Sequence, residues 1–115
     1  MTYPEVKTLL ETTGLQVVYY QWPDGHAPDP PYIVFYFPGD NDFIGDNSNY
    51  QKIRELTVEL YTDQKDFALE ETVEEVMSSL VYSRYETYID SERMYQVVYE
   101  TEVLITEEEE ENNGK

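Results

Sequence analysis

The sequence predicts an α+β fold in which two helices pack on one face of a mainly antiparallel five-stranded sheet. Three observations support this prediction: one segment alternates apolar and polar residues, another is almost continuously apolar, and a third has apolar residues at helical spacing. A period of two is typical of a half-buried strand, and a period of 3.6 is typical of an amphipathic helix. The predicted order is α-β-β-β-α-β-β, which favours helices layered on one side of a sheet.

The first two elements are a short helix and a strand. Thr2 is a suitable N-cap, Pro4 suits the first turn, and Glu5 completes a capping box three residues after Thr2. Gly14 is a typical helix stop. Residues 15–22 are rich in strand-forming side chains and predict the first strand.

The centre of the chain predicts two strands joined by a long loop. Residues 31–37 form an uncharged apolar and aromatic run, which is typical of a strand covered on both faces. Residues 50–61 alternate, with Leu56, Val58 and Leu60 on one predicted face. The loop between the runs is long for a hairpin, and loops of such length are often functional.

The remaining elements are a helix and a hairpin. Residues 67–80 carry apolar side chains on one helical face, and Asp63 or Asp66 can cap this helix. Residues 81–89 and 93–106 predict two strands joined by a short turn. The helix between the central strands and this hairpin is expected to be a crossover. Four glutamates are expected to point away from the core: Glu70, Glu71, Glu74 and Glu75.

Length and composition limit the class of protein. The 115 residues are typical of one domain, which we expect to span residues 1–106, followed by a disordered acidic tail at 107–115. Cysteine is absent, which excludes disulfides and thiolate metal sites. No apolar run reaches the roughly 20 residues that span a bilayer, so we expect a soluble, intracellularly made protein without membrane contact.

The net charge of −18 is the strongest compositional feature. The tail contributes −4, from five glutamates and one lysine, which leaves −14 on residues 1–106. Such a surface repels phosphate backbones, so we expect no high-affinity binding of nucleic acid. Acidity favours solubility, and it also suits a basic partner or a passage that DNA crosses without sticking.

The sequence contains no recognisable catalytic signature, and we expect a protein without enzymatic activity or cofactor. Glycine loops for phosphate, nucleophile elbows and zinc-ligand pairs are all missing from the sequence. A calcium-loop pattern starting at Asp40 fails, because Ile44 occupies position 5 and Gln51 stands where a bidentate glutamate is required. The Asp and Asn residues of this loop are instead typical of turns.

An apolar pair, Phe43 and Ile44, lies at the centre of the polar loop. The pair either folds back onto the core or is exposed for a partner, because exposed apolar groups often mark contact sites. Twelve tyrosines also suit a protein interface. The candidate protein-contact loop consists of Asp40, Asn41, Asp42, Phe43, Ile44 and Asp46.

In its order of elements the chain resembles a family of phage proteins. The resemblance lies in the run at 31–34, the Asp/Asn-rich loop and the strand at 51–63, followed by a helix at 67–80 and a final hairpin. These features are similar to tail-completion or tail-terminator (head–tail joining) proteins of long-tailed phages and prophages. The resemblance covers most of residues 3–106, and no residue of the family is carried over individually.

The resemblance implies a structural subunit of phage assembly that forms a homo-oligomeric ring, in many relatives a hexamer. Such a ring caps the tail tube and docks to the head, so the implied partners are tail-tube and head-completion proteins. The implied location is the virion, and the host cytoplasm during assembly. The alternative is a monomeric acidic binding module, an inhibitor or a DNA mimic, acting on a basic partner.

Overall fold

Two helices and six strands make up the described part of the chain, which comprises residues 1–44 and 50–106 of a computed structural model. The predicted tail at 107–115 and the loop residue Asp46 lie outside the described residues. The elements are α1 (Tyr3–Glu11), β1 (Gln16–Tyr19), β2 (Tyr32–Tyr36), β3 (Phe43–Ile44), β4 (Tyr50–Thr62), α2 (Phe67–Val76), β5 (Ser83–Ile89) and β6 (Met94–Ile105).

The sheet has the strand order β1-β2-β4-β6-β5, and β3 pairs separately with β4. The prediction of five strands is therefore wrong by one, since the backbones of Phe43 and Ile44 pair with Gln51 and Tyr50. Every pair is antiparallel except β1 with β2, so the prediction of a mainly antiparallel sheet is confirmed. Two residues were too short a segment for periodicity to detect.

Both helices have the predicted N-caps. Thr2 and Glu5 form the capping box of α1, and the Asp66 side chain accepts a hydrogen bond of 3.0 Å from the Leu69 N–H at the start of α2. The second helix ends at Val76, four residues before the predicted end. The reason is that the hydrogen bonds donated by the Ser78 and Leu80 N–H groups have i−3 spacing, as in a tight turn.

The helices pack on one face of the sheet, as predicted. Val6 and Leu10 of α1 join Val73 of α2 and Met77 in a single core cluster with the strands. We call this side the covered face. Its strand residues in the core are Val17, Ile33, Phe35, Leu56, Val58, Leu60, Val97, Tyr99, Val103 and Ile105.

We call the opposite side the open face, since neither described helix contributes core residues to it. The strand register aligns four residues in one row across this face: Val34, Glu59, Val98 and Tyr85.

The connection through α2 joins β4 to β5, which lie on either side of β6 and run parallel to each other. This is the predicted crossover. Neither described helix is long and apolar enough to cross a membrane.

Candidate assembly surfaces

The first part of the predicted contact loop is held against the edge of β4. Asp40 forms a backbone bridge with Arg54, and the Asn41 N–H donates a hydrogen bond of 2.8 Å to the Ile53 carbonyl. Asp42 Oδ1 accepts a hydrogen bond of 3.0 Å from the Ile53 N–H. These contacts continue along β4 beyond the point where β2 ends, so the loop is an extension of the sheet rather than a free excursion.

The side chain of Arg54 contacts two acidic residues of this loop. Its guanidinium makes an ion pair and hydrogen bond with Asp42, and it lies 3.5 Å from Asp40 Oδ2. Arg54 also donates to the hydroxyl of Tyr3 at 3.2 Å, which connects the loop to α1. Sequence reasoning missed Arg54, because the pairing of β4 with the loop decides which acids it meets.

The apolar pair at the loop tip is exposed. Phe43 has 55% and Ile44 has 72% of its surface accessible, so the pair does not fold back onto the core. Consecutive strand residues point to opposite faces, and the tip therefore presents one apolar side chain on each side. Of the two alternatives drawn from the sequence, exposure is the one that the fold adopts. A contact role for the tip stays a prediction.

An aromatic groove of about 620 Å³ lies near this loop. The Tyr3 and Phe37 rings meet edge to face at 5.1 Å, and Tyr19 stacks on Phe37 at 6.0 Å. Aromatic side chains with a few convergent polar groups are typical of binding sites. The sequence could not predict this groove, because four separate segments form it. Its lining consists of Tyr3, Pro4, Lys7, Tyr19, Phe35, Phe37, Gly39, Asp40 and Arg54.

The open face carries tyrosines and carboxylates in contact. Glu59 accepts hydrogen bonds of 2.8 Å from the hydroxyls of both Tyr36 and Tyr61. Gln96 in turn donates to the Tyr61 hydroxyl at 2.9 Å. Burial, followed by the hydrogen bond to Glu59, raises the pKa of both phenols above the ordinary value of 10.0. This face therefore holds its phenols neutral around a partly buried anion.

A buried ionic cluster joins α2 to β5, and it corrects one expectation. Glu70 was expected to point to solvent, but its side chain is only 4% accessible and pairs with Lys65 and with Arg84 at 2.7 Å. Glu74 also pairs with Arg84, at 3.3 Å, and Lys65 reaches Glu86 at 2.6 Å. Helical periodicity places Glu70 at the edge of the polar face, where a cation from another element can meet it.

No group of three or more His, Asp or Glu side chains among residues 1–44 and 50–106 is arranged to hold a metal ion. Of the acids compared with the calcium loop, Asp46 lies outside these residues. Asp40 and Asp42 are both directed to Arg54. The surfaces described above are therefore apolar, aromatic and acidic in character.

The structure thus defines an α+β protein with an exposed apolar pair, an aromatic groove and an acidic sheet face. No protein-family model and no curated protein matches the sequence. The fold is similar to that of a chain in a solved structure described as the virion of a native gene transfer agent particle, with a TM-score of 0.53. The two chains are 13% identical and the similarity covers 87% of each, which shows a shared fold.

Proposed function

We propose that this chain is a structural protein of a phage-like particle, and specifically a tail terminator or head–tail joining subunit. The observation that carries the proposal is the likeness of fold to a virion chain over 87% of both chains. The order of elements agrees with the resemblance to tail-completion proteins noted from the sequence. In this proposal the protein has no enzymatic activity and acts in the virion.

The proposed subunit assembles into a homo-oligomeric ring, with six copies as the expected number. A ring requires heterologous contacts, in which one surface of a subunit meets a different surface of the next. The chain offers two such surfaces: the exposed tip at Phe43 and Ile44, and the aromatic groove around Phe37. The proposed ring meets the tail tube on one side and head-completion proteins on the other.

Light scattering on the purified chain tests the ring. We expect a mass several times the 13.6 kDa of one chain, rising toward six copies with concentration or on addition of tail-tube protein. Replacing the tip by Phe43→Ser and Ile44→Ser should reduce this mass. The thermal midpoint should hardly change, because the pair is exposed.

Phe67→Ser is the matched control, since Phe67 is another exposed phenylalanine, 68% accessible, at the start of α2. The control should leave assembly intact. A chain that stays monomeric at every concentration, with tail-tube protein present, would contradict the ring. A large fall in the midpoint of the tip variant would instead assign Phe43 and Ile44 to the core.

The alternative function, a monomeric acidic module that docks on a basic partner, is favoured by one observation. The open face carries four carboxylates, Glu55, Glu59, Glu100 and Glu102, on its strands. A stable monomer that binds a basic protein through this face would support the module in place of the ring.

A further inference from the structure

Charged residues of the sheet are divided unequally between its two faces. The three cations on the described strands, Lys52, Arg54 and Arg84, all lie on the covered face by their register. Of the five strand carboxylates, only Glu86 lies on that face. The open face therefore carries only negative charge among its described strand residues. Its carboxylates are Glu55, Glu59, Glu100 and Glu102.

Two of these carboxylates are direct cross-strand partners. Glu55 on β4 lies opposite Glu102 on β6, and like charges in this position destabilise an antiparallel pair. The neighbourhood nevertheless accommodates both side chains. Asn41 donates a hydrogen bond to Glu102, and Gly39 leaves room for Glu55, because a Cβ at position 39 would lie 2.9 Å from Glu55 Oε1. A cation bound between Glu55 and Glu102 would offset the repulsion between their carboxylates.

The paired carboxylates line a groove of about 630 Å³ that opens to solvent. Glu100 adds a third carboxylate to its lining, and Pro38 and Val81 contribute apolar contacts. Val81 is 94% exposed, so its side chain is accessible to a ligand in the groove. The groove thus combines negative charge with apolar surface that a long cationic side chain can cover.

A second copy of the chain is poorly suited to fill this groove. Four of the six described cations already make ion pairs within the chain: Lys7, Arg54, Lys65 and Arg84. The other two, Lys52 and Arg93, are far apart in the sequence and do not form a patch on one strand. A metal ion is also disfavoured, because the described carboxylates form no cluster able to hold one. Another protein is therefore a better source of the complementary charge than a second copy or a metal ion.

A tyrosine beside the groove, Tyr85, favours arginine over lysine. Tyr85 is 49% exposed and its hydroxyl lies 3.4 Å from Glu100 Oε2. A guanidinium can stack on an aromatic ring and at the same time donate two hydrogen bonds to a carboxylate, which an ammonium cannot do. We propose that the open face, centred on Glu55, Glu100 and Glu102, is the docking surface for an arginine-rich segment of a different protein. This inference does not depend on ring formation.

A peptide-binding experiment on the full chain tests the proposal. The probe is a short fluorescent peptide that alternates arginine and threonine, and its anisotropy is measured at low ionic strength. The double variant Glu55→Gln and Glu102→Gln should bind at least about tenfold more weakly than the unmodified chain. The same peptide with lysine in place of arginine should bind the unmodified chain several-fold more weakly.

The matched control is Glu71→Gln with Glu75→Gln, which removes the same charge from exposed positions of α2. This control should change the affinity by no more than about twofold, because it alters only the long-range field. Equal weakening by the two double variants would overturn the proposal in favour of unspecific attraction. It would also be overturned by the absence of binding to the arginine peptide, or by equal affinity for the lysine peptide. The ring experiment uses different residues, so either proposal can fail without the other.

Discussion

Glu70 and Glu55 are the same residue type on opposite sides of the sheet, and their surroundings differ completely. Glu70 is buried between Lys65 and Arg84 at the interface of α2 with β5. Glu55 lies opposite Glu102, and among the described residues no cation pairs with either. A chain with seven cations cannot neutralise twenty-five acids. The fold places Lys65 and Arg84 beside the buried Glu70, because an unpaired buried charge is costly, and leaves the strands of the open face anionic.

The largest expected difference between the two faces is the loss of free energy of unfolding when a leucine is replaced by alanine. Leu60 on the covered face is fully buried, whereas Leu104 on the open face is 48% exposed. Leu60→Ala should lower the free energy of unfolding by about 2–5 kcal/mol, because it leaves a cavity in the core. Leu104→Ala should cost no more than about 1 kcal/mol. Urea unfolding measures both, and equal losses would mean that the open face is packed as closely as the core.

Glutamine substitutions compare the two kinds of carboxylate. Glu70→Gln should lower the free energy of unfolding by about 1–3 kcal/mol, because Lys65 and Arg84 lose their shared buried anion. Glu55→Gln should instead raise it by about 0.2–1 kcal/mol, because it removes the repulsion with Glu102. Thermal or urea unfolding distinguishes the two signs. Destabilisation by Glu55→Gln would show that this carboxylate has a stabilising partner.

Tyrosine titration gives the smallest but most local test of the open face. The pKa values of Tyr36 and Tyr61 are raised, first by burial and then by Glu59, so the folded state keeps these phenols neutral. The unfolded state, in which these phenols have the ordinary pKa of 10.0, loses their protons at lower pH than the folded state does. The free energy of unfolding is therefore expected to be constant with respect to these two groups below pH 10.0 and to fall as the pH rises above it. Glu59→Gln should lower the pKa of both phenols. The absorbance of tyrosinate, recorded as a function of pH, measures this change. Glu71→Gln should leave the titration unchanged, and an unchanged curve for Glu59→Gln would place the anion away from the phenols.

The element types follow largely from sequence, since each rests on local signals. The capping box at Thr2 and the alternation around Val58 are complete within a few residues, and both reappear in the fold. The end of α2 and the strand β3 were missed because they do not rest on local signals. Their hydrogen bonds depend on neighbours or partners that periodicity does not reveal.

The candidate surfaces divide in the same way. The sequence identified Phe43 and Ile44 as an apolar pair in a polar loop, and the structure decided that this pair is exposed. The alternation at residues 50–61 also implied that Glu55 lies on the face opposite to Leu56, Val58 and Leu60. It could not predict that Glu55 lies opposite Glu102.

By itself, then, the sequence determined the acidic charge, the α+β class and the alternating faces of the strand at 50–61, because composition and period are properties of neighbouring residues. Only the tertiary structure decided which cations meet Glu70, that the loop tip is exposed, and that Glu55 and Glu102 lie opposite each other and line one groove. These features depend on strand register and helix packing, which join residues far apart in the chain.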